Sequence, residues 1–174
     1  MKRFLSGLVA LLFICSFSTG VLAAKNSVGL RLDRYGVGME YEHAFFEQLS
    51  LDLAWGYSGD FDTTKKYFEN YFETGIKYYP VSEAQSGFYL AGYASLHLRG
   101  LEYAENNQNN INTLSSLYLF GLDFGYKYLF SSGLFLDLSI DNYLSLASSN
   151  VQSQNIDFSL KVPGGVRFNF GYAW

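Results

Sequence analysis

The chain has 174 residues, 12 Lys and Arg against 16 Asp and Glu, a formal charge of −4 and a single cysteine. That length fits one domain, the acidic balance offers nothing to draw nucleic acid, and one cysteine excludes an internal disulfide.

The elements begin with a segment that does not belong to the fold. Lys2 and Arg3 precede an apolar run from Phe4 to Phe17, then Ser18-Thr19-Gly20 and Val21-Leu22-Ala23. Basic, apolar and small-residue parts in that order are expected to be a secretory signal cleaved after Ala23. The run is short for a membrane anchor of roughly 20 residues. Cys15 follows Ile14, where a lipoprotein signal wants a small side chain. Removing 1–23 takes the formal charge to −6 and deletes the cysteine. The domains expected are thus a signal peptide, 1–23, and a barrel, 24–174, exported through the Sec pathway.

No later stretch is apolar enough to cross a membrane as a helix. What recurs is alternation with a period of two. In "LSLDLAWGY", Leu49, Leu51, Leu53, Trp55 and Tyr57 oppose Ser50, Asp52, Ala54 and Gly56. In "YLFGLDFGYKY", Tyr118 to Tyr128 by twos oppose Leu119, Gly121, Asp123, Gly125 and Lys127, and "LFLDLSI" repeats the pattern. Eight such segments are expected, near 26–33, 35–43, 49–58, 67–79, 87–100, 114–129, 134–146 and 156–174. The breaks alternate between short ones ("AFFEQ", "PVSEAQS", "SSG") and mostly longer polar ones ("SGDFDTTKK", "ENNQNNIN", "SSNVQSQN"), with a tight first turn at Asp33-Arg34. Short turns at one end and longer loops at the other are the habit of an outer-membrane barrel.

A lipocalin-like barrel or a sandwich would bury the apolar face. Here that face is nearly all Leu, Phe, Tyr, Val and Trp, while the other mixes Gly, Ser, Ala and charges. In lipid the assignment inverts, with the apolar face outward and the sheet closed so that its backbone is paired. The fold expected is all-β, an eight-stranded antiparallel up-and-down transmembrane barrel. Phe45-Phe46, Tyr78-Tyr79, Tyr126-Tyr128-Phe130 and Tyr172-Trp174 are expected in interfacial girdles. Pro163-Gly164-Gly165 should carry a bulge, because proline cannot donate to the ladder.

The last strand reads "VRFNFGYAW", with Phe170, Tyr172 and Trp174 on one face. This ending resembles the assembly signal of bacterial outer-membrane barrels, which usually closes on Phe. The chain as a whole resembles the small OmpA/OmpX-type barrels. "GVGMEYEHAFFEQLSLDLAWGYS" and "ETGIKYYPVSEAQSGFYLAGY" are similar to porin-like outer-membrane β-barrel proteins. The resemblance implies a monomer in outer-membrane lipid, in a Gram-negative-type envelope, assembled by the barrel machinery through its C-terminal strand.

Following the alternation inward places Glu40, Asp52, Glu73 and Asp123 near mid-height of a lumen. Arg31, His97, Arg99, Asp141 and Arg167 lie towards the outer end, and Lys77, Lys127 and Asp137 towards the periplasmic end. Acids between bases should pair, since a lone charge in a narrow interior is costly. The expectation is a lumen plugged by this network and a structural or surface-interaction role. The alternative is a narrow passive channel, favoured by inward Gly29, Gly38, Gly56, Gly75, Gly121 and Gly125, which would leave space. A lipid A-modifying enzyme would need His97 as base, Ser95 or Ser115 as nucleophile, and Glu69 or Asp141 orienting the imidazole. Neither the His-x-Ser pair of the deacylases nor the Asp-Ser pair of the palmitoyltransferases is present, so no catalytic residue is assigned. His43 and His97 lie too far apart to make a metal site, and no cofactor is expected. Asp60 and Asp62 fall short of a calcium loop's ligand count. The loop at 101–113, "EYAENNQNNINT" at its heart, is the candidate for an extracellular ligand.

Overall fold

A computed structural model describes residues 24–61, 65–105, 108–150 and 165–174. The expected leader at 1–23 and the expected bulge at Pro163-Gly164 lie outside the described residues.

Eight strands follow from the eight alternating segments. They are β1 (Asn26–Asp33), β2 (Gly36–Ala44), β3 (Leu49–Phe61), β4 (Lys65–Tyr78), β5 (Gly87–Glu105), β6 (Gln108–Leu129), β7 (Leu134–Asn150) and β8 (Gly165–Ala173). Each pairs antiparallel with the next and β8 returns to β1, with Leu30 opposite Phe170 and Val28 opposite Tyr172. Closure removes the edges that an open sheet would expose. The chain ends reinforce the seam: Lys25 and Asn26 N–H groups donate to the Trp174 carbonyl at 2.9 and 3.0 Å, and Trp174 N–H donates to Asn26 at 2.8 Å.

The two faces differ as the alternation requires. Leu53, Trp55, Phe72, Phe120, Leu122, Leu136 and Phe170 point outward, between 43% and 70% exposed. Arg31, Glu42, Tyr71, Lys77, Lys127, Asp137 and Arg167 point inward, none more than 1% exposed. This is the reverse of a water-soluble protein, in which charges face out. Among the described residues no helix is long and apolar enough to cross a membrane.

Three local expectations change. The first turn is Arg34-Tyr35 rather than Asp33-Arg34: Asp33 pairs with Gly36, and its Oδ1 accepts the Tyr35 N–H at 2.7 Å. Gly36 sits at φ +128°, which a side chain would strain. Second, β5 and β6 run on through most of 101–113, so the expected loop is a continued hairpin. Its register shifts at Leu101/Glu102, leaving Asn112 as the extra residue of a bulge. Third, Tyr79 is not in a girdle; it is fully buried in the interior.

The barrel wall is therefore uneven. β5 and β6 have 19 and 22 residues, against 8 or 9 in β1, β2 and β8. About 9–11 residues suffice for a tilted membrane strand, so the β5–β6 hairpin projects well past its neighbours. The opposite, short-turn end is folded in. There Tyr79 N–H donates to Gln48 at 2.9 Å, Ala84 N–H to Glu47 at 2.6 Å, and buried Gln85 Nε2 to the Glu42 carbonyl at 3.3 Å.

Candidate functional site

The interior is built from a repeated stack of glycine, aromatic ring and cation. Tyr71 lies against Gly38 and Gly56 and beneath Arg31, whose Cζ is 5.2 Å from the ring centre. Tyr89 fills the space at Gly125 and faces Lys77 Nζ at 5.1 Å. Phe135 sits against Gly29 and Gly171 and faces Lys127 Nζ at 4.1 Å. Tyr93 packs beside Gly75 and faces Arg167 Cζ at 5.0 Å. A Cβ at Gly29 would stand 2.7 Å from Phe135 Cζ, and one at Gly38 would stand 2.8 Å from the Tyr71 hydroxyl. Of the inward glycines expected to leave space, Gly29, Gly38, Gly56, Gly75 and Gly125 leave it to rings of the same chain. Each ring face then receives a cation that water no longer reaches.

The charges lie in two connected groups. Towards the long-hairpin end, Arg31 takes Glu73 through Nη1 at 2.6 Å and Nη2 at 3.2 Å, and Asp33 through Nε at 2.7 Å. Arg167 bridges Glu73 at 3.1 Å and Asp123 at 2.7 Å. Towards the short-turn end, Lys77 Nζ sits among Glu40 at 2.6 Å, Glu42 at 3.3 Å, and Asp52 and Asp137 at 3.5 Å each. Lys127 reaches Glu42 at 2.8 Å and Ser27 Oγ at 2.7 Å. Glu40 ties the groups together, 3.9 Å from Arg31 and hydrogen-bonded by Asn169 at 2.8 Å. Glu40, Glu42 and Asp52 stand close enough to hold a metal. The Lys77 ammonium already takes that central place.

A third group closes the long-hairpin end. His97 is stacked on Tyr71 with ring centres 5.6 Å apart and meets Tyr35 edge-on at 4.7 Å. Its Nδ1 makes a short hydrogen bond with Glu69, and its Nε2 shares one with Ser95 Oγ at 3.0 Å. Arg99, a third exposed, holds Glu69 at 3.0 and 3.2 Å. Serine, imidazole and carboxylate thus stand in the order a hydrolase uses. Ser95 lies level with Glu73, deeper in the lumen than His97. The strand around Ser95 pairs with β4 on one side and β6 on the other. The Ser115 side chain lies outside the described residues.

Of the sequence-derived lumen residues, Arg31, Glu40, Asp52, Glu73, Lys77, Asp123, Lys127, Asp137 and Arg167 share one network. His97 and Arg99 join through Glu69 in the third group. Asp141 is buried and enters no ion pair among the described residues. Phe170, Tyr172 and Trp174 project from the barrel's outer face. Glu42 was overlooked, although it shares the parity of Glu40. So were the inward rings Tyr71, Tyr89, Tyr93 and Phe135, whose parity with Glu73, Asp137 and the glycines would have placed them.

A closed eight-stranded antiparallel barrel with an apolar exterior and a charged interior defines the class: the fold is that of the small outer-membrane barrels. Among solved structures the chain is similar to Acinetobacter baumannii CarO, with a TM-score of 0.52 and 14% identity over 90% of this chain and 100% of that one. It is also similar to the N-terminal β-barrel domain of Pseudomonas aeruginosa OprF, with a TM-score of 0.49 and 12% identity over 86% and 96%. At 14% identity the likeness to CarO is one of fold. No protein-family model and no curated protein matches the sequence.

Proposed function

We propose that the protein is an integral outer-membrane barrel with a plugged lumen, whose role is structural or exercised at the cell surface. In this reading 1–23 is a cleaved leader, and 24–174 sits in the membrane as a monomer with its long hairpins outside. The observation that carries it is the filled interior: four aromatic rings, four cations and the carboxylates around them occupy the lumen with almost no exposure. Eight strands leave room for little more than side chains. The apolar exterior supports lipid as the surroundings, because a band of such residues is stable only where water is absent. The projecting β5–β6 hairpin supports a surface partner, and the C-terminal aromatic strand supports recognition by the assembly machinery.

Without residues 1–23 the chain has no cysteine, so a single new one reports its side of the membrane. Asn109→Cys in the hairpin should be labelled by an impermeant maleimide on intact cells. Ser132→Cys at the short-turn end should label only after the outer membrane is opened. Equal labelling of both on intact cells would contradict the reading. Deleting 101–113 should leave a folded barrel and abolish any surface binding the parent shows.

A further inference from the structure

At the short-turn end the barrel carries a polar seat and, on its outer wall, an apolar groove, and the two meet. The seat is a cavity of about 630 Å³ lined by Lys25, His43, Phe45, Phe46, Glu47 and Glu83. Among the described residues the side chains of Lys25, Glu47 and Glu83 enter no ion pair. Phe45 and Phe46 meet edge-on with ring centres 5.1 Å apart, yet remain 42% and 67% exposed. Exposed rings beside charges mark the level where headgroups give way to hydrocarbon.

The groove lies on the outer wall, where two cavities of about 660 and 410 Å³ share Thr74, Ala94 and Phe120. Side-chain size causes the depression. Across the strands, the row Tyr41, Leu53, Thr74, Ala94, Phe120 dips at Thr74 and Ala94. The next row, His43, Leu51, Ile76, Gly92, dips again at Gly92. Seat and groove join along this second row: His43 borders the seat, while Leu51, Ile76 and Gly92 border the groove. Asn26 fixes the joint, its Oδ1 accepting from the Tyr41 hydroxyl at 2.8 Å and from His43 Nδ1 at 2.9 Å.

The charges select the occupant. Two carboxylates against one ammonium disfavour an anionic headgroup that carries no amine. A phosphate joined to a primary ammonium answers both signs, and its N–H donors suit the two carboxylates. The adjoining groove is nearly all apolar and opens on the face that meets lipid, so it takes hydrocarbon, while the few polar groups of the seat set orientation.

We propose that this end of the barrel holds one amine-bearing zwitterionic phospholipid. Its phosphate lies at Lys25, its ammonium at Glu47 and Glu83, and one acyl chain in the groove over Thr74 and Ala94. The inference rests on the reading of the chain as a membrane barrel with its short turns on the periplasmic side.

The test is thermal unfolding of the purified protein in detergent, with added phosphatidylethanolamine, phosphatidylglycerol or phosphatidylcholine of matched chains. Phosphatidylethanolamine should raise the parent midpoint by several degrees more than either of the others. In Glu47→Gln/Glu83→Gln its lead over phosphatidylglycerol should vanish. Ala94→Phe, which fills the groove and leaves the seat intact, should weaken the response to phosphatidylethanolamine several-fold. Glycerophosphoethanolamine, the same headgroup without chains, should have little effect. The proposal is overturned if the parent responds equally to all three lipids, or if the double carboxamide variant keeps the preference. It is also overturned if Ala94→Phe responds as the parent does, or if the chain-free headgroup reproduces the full shift. Cysteine labelling tests the orientation separately, so a barrel that labels as expected but shows no lipid preference refutes this inference alone.

Discussion

The two ends of the lumen solve one problem differently. At the short-turn end, one ammonium from β4 sits among four carboxylates from β2, β3 and β7, and the folded-in segment carrying Tyr79, Ala84 and Gln85 closes the floor. At the long-hairpin end, guanidiniums span longer gaps, Tyr35 is the stopper, and Asp141 is left without a side-chain partner. Lys77 is the cation shared by all four carboxylates, with Lys127 holding Glu42 from the other side. The floor therefore centres on one shared ammonium, and the mouth on guanidiniums and stacked rings.

The largest effect should come from the floor. Lys77→Ala leaves four carboxylates around an empty place, and breaking a buried pair in this way costs about 3–5 kcal/mol. Unfolding in urea from detergent micelles measures it. A loss no greater than that of an exposed lysine would remove the distinction between the two ends.

Next come the glycine–ring stacks. Gly125→Ala drives a methyl into the Tyr89 ring, and overpacking of this kind costs about 1–3 kcal/mol. In a double-mutant cycle, Tyr89→Leu should recover most of that loss, because the methyl then has space. Full additivity would show that the ring does not fill the glycine gap.

These stacks also show where the sequence was legible. Strand number, order and facing followed from period-two alternation, which survives any detail of packing. The charged lumen residues followed from parity as well. The inward rings Tyr71, Tyr89, Tyr93 and Phe135 did not, because a large apolar ring is not the expected lining of a polar lumen. Tyr79 was assigned to a girdle for the same reason, although it hydrogen-bonds Glu42 at 2.7 Å inside the barrel. A glycine on one strand and a ring on the next are a single unit, visible only once register is known: Gly75 opposite Tyr93 is one example. The hairpin was hidden for another reason. "ENNQNNIN" carries turn residues, and its extension depends on pairing between β5 and β6 that composition does not report.

At the mouth the effect should be smaller and depend on pH. Burial pushes the Tyr35 phenol up to about 12. The folded state therefore keeps this proton where the unfolded chain, near pH 10, releases it. Stability from this group is present below about pH 10 and is lost as pH rises towards 12. Tyr35→Phe should flatten that alkaline decline, as read by unfolding midpoints across the range. An unchanged decline would mean that Tyr35 is not held as described. The smallest effect expected is on chemistry: His97→Ala should leave lipid A composition unchanged, and an altered lipid A profile would revive a catalytic role for the Ser95–His97–Glu69 array.

The most direct test of the filled lumen is single-channel conductance of the purified barrel in a planar bilayer, with folding confirmed by its shifted mobility on an unheated gel. A plugged lumen predicts silence from the parent and openings from a Lys77→Ala/Lys127→Ala variant that still folds. Reproducible openings in the parent would contradict it, because a lumen filled by its own rings and ion pairs has no path for ions.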